Sequence, residues 1–221
     1  MQIHLLGYSE ATISRILDVF SVTGEYREVV IVQNMEVEKS IPFCPPEINY
    51  RIIDWKEWKF DRKKQLCFPG VMNPSTRQKV VDFFRENCGV KEEDYANVIH
   101  PQSVIASTVK LGRGIMIEPG SVLASFAKLG FGAYINRGCT VGHHAVIGDN
   151  VMTGPGVHIA GHCRLGKNVK MGIGSVVFDH VTIGENTIVG GGSVVNRDLP
   201  ADVMAWGNPC KVIKSISLNE A

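Results

Sequence analysis

The sequence predicts a small α/β domain joined to a triangular parallel β-helix, and three observations carry that expectation. From Ile99 to Val195 every sixth residue is aliphatic, through Leu111, Leu123, Ile135, Val141, Ile147 and Ile159, with Thr153 as the one exception. Four places after each of these stands a residue that is mostly small or β-branched, among them Ser103, Ala127, Cys139, Cys163 and Ser193. The first 97 residues lack this period and instead alternate short apolar runs with helical patterns. An unbroken six-residue period is the signature of a β-helix, in which three hexads make one coil and successive coils stack as parallel strands. The two tracks fill the prism. Glycine follows the aliphatic in many hexads, as at Gly112, Gly130, Gly142, Gly154 and Gly172, where it is expected to supply the backbone freedom of tight corners.

The N-terminal part reads as strand, helix, strand, strand, strand, helix. Ile3 to Leu6 is an apolar strand, and Ser9 stands where a cap would start a helix running to about Val22 with Ile13, Ile16, Leu17 and Phe20 on one face. Glu28 to Val32, Arg51 to Ile53 and Gln65 to Phe68 are further strands. Asn73-Pro74 opens a second helix, with proline in its first turn, which stops near Gly89. This order predicts a small, largely parallel sheet. Lys91 to Ala96 is a polar connector, Pro200 closes the repeat, and Asn208-Pro209 marks a turn in the tail. The expected domains are 1–97, 98–200 and 201–221.

Composition narrows the function classes. The chain has 221 residues and a net charge of +1, without a basic stripe, which argues against nucleic acid as a partner. No run approaches the ~18 apolar residues of a membrane span, and the start reads as a strand rather than a signal peptide. The six cysteines lack metal-ligand spacing, and Cys139 and Cys163 fall on the inward track, so a reducing, cytoplasmic setting is expected.

The outward positions carry the candidate chemistry. His143 lies two places after an inward aliphatic, at or near a corner, where an imidazole titrating near neutrality can accept a proton from an attacking amine or hydroxyl. His144, His162 and His180 are one coil apart and should stack; a simple corner ladder, a catalytic role and a metal site all remain open for them. Asn136 either accepts a positive φ at a corner or positions the ring of His143 or a substrate.

The hexad track, the segments Asn136-Arg137-Gly138-Cys139-Thr140-Val141-Gly142-His143-His144 and Gly154-Pro155-Gly156-Val157-His158-Ile159-Ala160-Gly161, and the tail Gly207-Asn208-Pro209-Cys210-Lys211 together resemble the left-handed β-helix acyltransferases. With the N-terminal α/β domain, the resemblance narrows to bacterial sugar N- and O-acetyltransferases related to the sialic-acid O-acetyltransferase and to enzymes acetylating nucleotide-linked 4-amino sugars. It implies a homotrimer, acetyl-coenzyme A as co-substrate with no metal, and a site between neighbouring prisms. It implies His143 as general base, the N–H of Gly161 as oxyanion donor, the backbone at Ile173 and Gly191 as a support for the pantetheine arm, and Lys211 near a coenzyme phosphate. In that family a carboxylate follows the base; here His144 stands in its place. The turn Gly7-Tyr8-Ser9 and Asn34 after the second strand match, in outline, the positions that hold a sugar substrate's nucleotide. The expected activity is acetylation of a nucleotide-linked 4-amino-4,6-dideoxy sugar in surface polysaccharide or glycan synthesis. The alternatives are O-acetylation of a free sialic-acid-like sugar, a β-helix metalloenzyme of the carbonic-anhydrase kind, or a non-catalytic assembly module. The spacing His158-x3-His162, in place of that metalloenzyme's His-x4-His pair, argues against the second.

Overall fold

The computed structural model describes residues 2–35 and 43–216. The chain divides into two compact units, Met1–His100 and Pro101–Ala221.

The first unit runs β1 (Gln2–Leu6), α1 (Glu10–Thr23), β2 (Glu28–Gln33), β3 (Asn49–Asp54), β4 (Gln65–Pro69), α2 (Pro74–Cys88). Its four strands form one parallel sheet in the order β3-β2-β1-β4. Helix α1 forms because Ile13, Ile16, Leu17 and Phe20 recur at helical spacing, and all four are buried. Ser9 sits at its N-cap without a side-chain cap bond; its hydroxyl instead accepts from Thr12 Oγ1 at 3.1 Å. Helix α2 is capped as the sequence suggests, with the Asn73 side chain accepting from the Ser75 N–H at 3.2 Å. Both helices end on a left-handed glycine, Gly24 and Gly89. The connector after α2 contains a short 3₁₀ turn, Glu92–Asp94, whose Asp94 carboxylate is buried and gripped by the Arg62 guanidinium at 2.5 and 2.9 Å. Because β2 and β3 lie on one side of β1 and β4 on the other, the sheet has its switch point between β1 and β4, where parallel α/β sheets open a ligand crevice. Gly7 and Gly70 stand there, so close that a Cβ on Gly70 would lie 2.4 Å from the Gly7 carbonyl oxygen.

In the second unit, two-residue strands from Val104–Ile105 to Val194–Val195 recur every hexad, and each ends on the residue of the six-residue period, aliphatic in all but Thr153. Each pairs in parallel with the strand one coil on, as in Lys128↔Val146, Tyr134↔Met152 and Thr140↔His158, which builds three flat faces. The aliphatics and the second track form the buried core, Cys139 and Cys163 included. Thr153 is tolerated there because its hydroxyl is satisfied: it accepts from the Asn136 N–H at 2.9 Å and donates to the Tyr134 carbonyl at 3.3 Å. The hairpin Val203–Gly207 and Cys210–Ser215 caps the prism, its first strand pairing in parallel with Ile188–Val189. Among the described residues, no helix is long and apolar enough to cross a membrane.

The glycines after the aliphatics serve a different purpose from the one expected. They are not the positive-φ residues. A Cβ at Gly142 would lie 2.4 Å from the Ala160 carbonyl carbon, and one at Gly172 would lie 2.3 Å from the Gly191 nitrogen. They are glycine because the next coil passes over them. The left-handed residue sits two places later: Gly138, Gly156, Gly174 and Gly192 at one corner, Gly114 and Gly132 followed by Asn150, Asn168 and Asn186 at the second, Phe126, His144, His162 and His180 at the third. The asparagines chain along their corner, Asn168 Nδ2 donating to Asn186 Oδ1 at 2.9 Å and Asn186 Nδ2 to Asp202 Oδ1 at 2.8 Å.

Candidate active site at the histidine corner

Each corner presents two columns of residues, one at the left-handed position and one just before it. At the third corner the left-handed column is a stack of rings. His144 and His162 lie 4.9 Å apart and 14° from parallel, His162 and His180 4.8 Å apart and 2° from parallel, and Phe126 extends the stack at 4.9 Å from His144. The sequence period locates the three imidazoles; Phe126 shares their spacing and escapes notice only because it is not a histidine.

The preceding column holds Ser125, His143, Gly161 and Asp179. His143 is exposed and stands edge-on to the stack, 87° to His144 and 88° to His162. Its Nδ1 lies 3.2 Å from His144 Nδ1, so one of the two rings presents N–H and the other a lone pair. His143 finds room because Gly161 has no side chain: a Cβ there would come within 2.8 Å of His143 Nε2 and 3.2 Å of Asp179 Oδ1. Partial desolvation in the stack holds the His162 pKa below the ordinary imidazole value, the neighbouring imidazoles His180, His143 and His144 add to the effect, and Asp179 opposes it.

The N–H of Gly161 is not free. It donates to Asp179 Oδ1 at 2.8 Å, so the oxyanion donor expected at this position is already engaged by a carboxylate. Asn136 departs from one of its expected readings, the corner with a positive φ. Its φ is not positive, its side chain is buried, and its amide oxygen accepts from the Arg137 N–H at 2.9 Å and guanidinium at 3.4 Å. It occupies the position after an aliphatic, where most hexads place glycine.

Beside the histidine corner runs a groove of about 440 Å³ lined by Lys110, Lys128 and Arg164 together with Phe126, His144 and His162. The three cations are the outward residues of strands on one face, spaced by whole coils, a pattern readable by the same count that finds the histidines.

The expected donor-holding residues are not all at this corner. Ile173 is exposed and abuts Gly191, where a Cβ would lie 3.1 Å from Ile173 Cγ2, but both belong to the glycine corner. Lys211 is exposed on the capping hairpin, paired with Trp206. In the first unit, Gly7, with φ of 81°, and half-buried Tyr8, Ser9 and Asn34 gather at the C-terminal edge of the parallel sheet, after β1 and β2. Arg77, which follows the Gly70 turn, is buried at the start of α2 and sets one guanidinium nitrogen 3.7 Å from Met72 sulfur.

Residues 126–161 and 144–179 match the family described as bacterial transferase hexapeptide (six repeats). No curated protein matches by sequence. Among solved structures, a His-to-Asn mutant of perosamine N-acetyltransferase from Caulobacter crescentus, in complex with CoA and GDP-perosamine, is similar at 26% identity and a TM-score of 0.77, covering 97% of this chain and 98% of its own. The acetyltransferase domain of PglB from Neisseria gonorrhoeae, in complex with acetyl coenzyme A, is 21% identical with a TM-score of 0.81 over 96% and 98%. WeeI from Acinetobacter baumannii is 24% identical with a TM-score of 0.78 over 96% and 100%. The last two speak for the fold.

Proposed function

We propose that the chain is a left-handed β-helix acyltransferase of the hexapeptide-repeat type and that it transfers the acetyl group of acetyl-coenzyme A to the amine of a nucleotide-linked 4-amino-4,6-dideoxy sugar. The observation that carries this reading is the setting of His143: an exposed imidazole at a corner that a glycine keeps open, with Nδ1 tied to a second imidazole and Nε2 facing outward over Gly161. The similarity at 26% identity to an enzyme named for acetylating perosamine supports the substrate class.

The chemistry follows from that geometry. With His144 accepting the Nδ1 proton of His143, the Nε2 lone pair is available as general base. The substrate amine attacks the thioester carbonyl carbon, its proton passes to Nε2, the C–S bond breaks, and the proton is returned to the departing thiolate. His144 orients the ring as a neutral acceptor, so the charge that stabilises the imidazolium has to come from elsewhere. Asp179 supplies it. Its Oδ1 and His143 Nε2 are at most 6.0 Å apart, being 3.2 and 2.8 Å from the point where a Gly161 Cβ would lie. A carboxylate at that range offsets the positive charge that forms on the ring as the amine's proton is taken. For Gly161 to hold the oxyanion, Asp179 turns away as the thioester enters.

Two further assignments complete the site. Lys110, Lys128 and Arg164 suit the diphosphate of a nucleotide sugar or of the coenzyme. Ile173 and Gly191 sit at a different corner from His143 and Gly161, so one prism alone does not bring the pantetheine support to the base. A second copy of the chain does, and a closed ring of three copies repeats the site by symmetry.

Thiol release from acetyl-coenzyme A, measured with GDP- and UDP-linked 4-amino sugars and with free sialic acids, tests the reading. Turnover with a nucleotide-linked amino sugar is expected; turnover confined to free sialic acids replaces the proposed substrate, and none with any of these acceptors removes the activity.

A further inference from the structure

We propose that the histidine corner is also a binding site for a divalent transition-metal ion of the zinc class, and that occupancy silences the base. The proposal of inhibition rests on the role given to His143; the metal site itself does not. One nitrogen each from His143, His144 and His162 lies within 4.8 Å of the other two. The 3.2 Å between His143 Nδ1 and His144 Nδ1 is the spacing two imidazole ligands take on one tetrahedral ion with metal–nitrogen bonds of ~2.0–2.1 Å. All three rings are exposed, so a solvated ion reaches them without unfolding anything. His144 and His162 stack at 4.9 Å and 14° from parallel, so the ring of His162 tilts toward the other two nitrogens when it joins the ion. Nitrogen donors without a carboxylate among the three select zinc, cobalt, nickel or copper over magnesium and calcium.

The consequence for the base is a matter of protons. In the free corner one proton is shared between the two Nδ1 atoms. A metal on both Nδ1 atoms needs a lone pair on each, so the proton of His143 moves from Nδ1 to Nε2, with no change in charge. His143 Nε2 then carries N–H and accepts nothing from an attacking amine. The same two atoms therefore serve either as a base with its orienter or as a chelate.

Cobalt absorption reads the site without turnover. Co²⁺ titrated into the full chain, purified without a polyhistidine tag, is expected to give a visible d–d band of the tetrahedral type at one equivalent. His162→Asn, which keeps a residue suited to a left-handed corner, is expected to weaken Co²⁺ binding at least tenfold, given that removing even an outer-shell partner costs ~10–100-fold. Zn²⁺ is expected to lower the initial rate of the wild type at concentrations at least about tenfold below those that affect His162→Asn. No band at millimolar Co²⁺, a band that His162→Asn leaves unchanged, or zinc occupancy with an undiminished rate each overturns the proposal. A cobalt band that responds to His162→Asn in a protein without acetyl transfer to any sugar upholds the metal site and refutes the enzymatic reading instead.

Discussion

The amide of Gly161 donates to the carboxylate of Asp179 at 2.8 Å, one coil above it, and so joins the expected oxyanion donor to the only carboxylate that the outer column of the histidine corner holds among Ser125, His143, Gly161 and Asp179. The pair has two separable effects. The carboxylate occupies the N–H that a thioester oxygen needs, and its charge stands at most 6.0 Å from the nitrogen that takes the substrate's proton. Asp179→Asn keeps an acceptor for Gly161 but removes the charge; it is expected to lower kcat about tenfold, corresponding to ~1.4 kcal/mol, with KM for acetyl-coenzyme A little changed. Asp179→Ala removes both and is expected to lower that KM while also lowering kcat. Steady-state kinetics of the two variants separates the effects; equal kcat in wild type and Asp179→Asn removes the charge role.

Gly161 itself is predicted to be a position where space, not backbone freedom, matters. Its φ is not in the left-handed region, so alanine is tolerated by the backbone, but the added Cβ would stand 2.8 Å from His143 Nε2. Gly161→Ala is expected to leave the thermal midpoint within a few degrees of wild type and to lower kcat at least ~100-fold, the loss typical of a displaced base. A folded Gly161→Ala protein with full turnover shows that the ring position is irrelevant to the reaction.

His143→Asn and His144→Asn are expected to differ in degree. Removing the base costs at least ~100-fold in kcat. Removing its orienter leaves Nε2 in place but frees the tautomer, and a loss of about tenfold is expected, with asparagine suited to the left-handed φ of 59° at residue 144. Comparable losses in the two variants, or a larger loss at His144, reverse the assignment of roles.

Much of this corner was readable from the chain because counting by eighteen maps residues onto one corner. That count puts His144, His162 and His180 in a column, and the stacking at 4.8 and 4.9 Å bears it out. Applied to His143 it also reaches Gly161 and Asp179, so the missing carboxylate had a sequence signal two coils away rather than next door. The inward track placed Cys139 and Cys163 correctly for the same reason. What the period does not say is why a small residue is small. Gly142 and Gly172 look like corner residues, yet the crowding that selects them comes from the backbone of the following coil, which no local pattern encodes. The corner reading of Asn136 fails likewise, since its φ is not positive and its bonds run to its neighbour Arg137 and into the core.

The least legible feature lies in the first unit, where nothing repeats. His4 sits in an apolar strand, almost fully buried, and its Nδ1 accepts the indole N–H of Trp58 at 3.0 Å, 54 residues away. Burial, with a further contribution from the charge of Arg51, pushes its pKa down from 6.5 to about 4. The indole N–H donating to Nδ1 is matched to a neutral ring with its lone pair there. As the pH falls below 6.5 the unfolded chain takes up this proton and the folded chain does not. The contribution of His4 to stability is therefore intact above pH 6.5 and lost progressively toward pH 4, by about 3 kcal/mol in all. Urea unfolding at pH 7.5 and pH 4.5 measures this against His4→Gln, whose amide oxygen keeps an acceptor for Trp58 but does not titrate. The variant is expected to lose about 2–3 kcal/mol less than wild type between the two pH values, the carboxylates contributing equally to both. Parallel losses mean that His4 is not the titrating group.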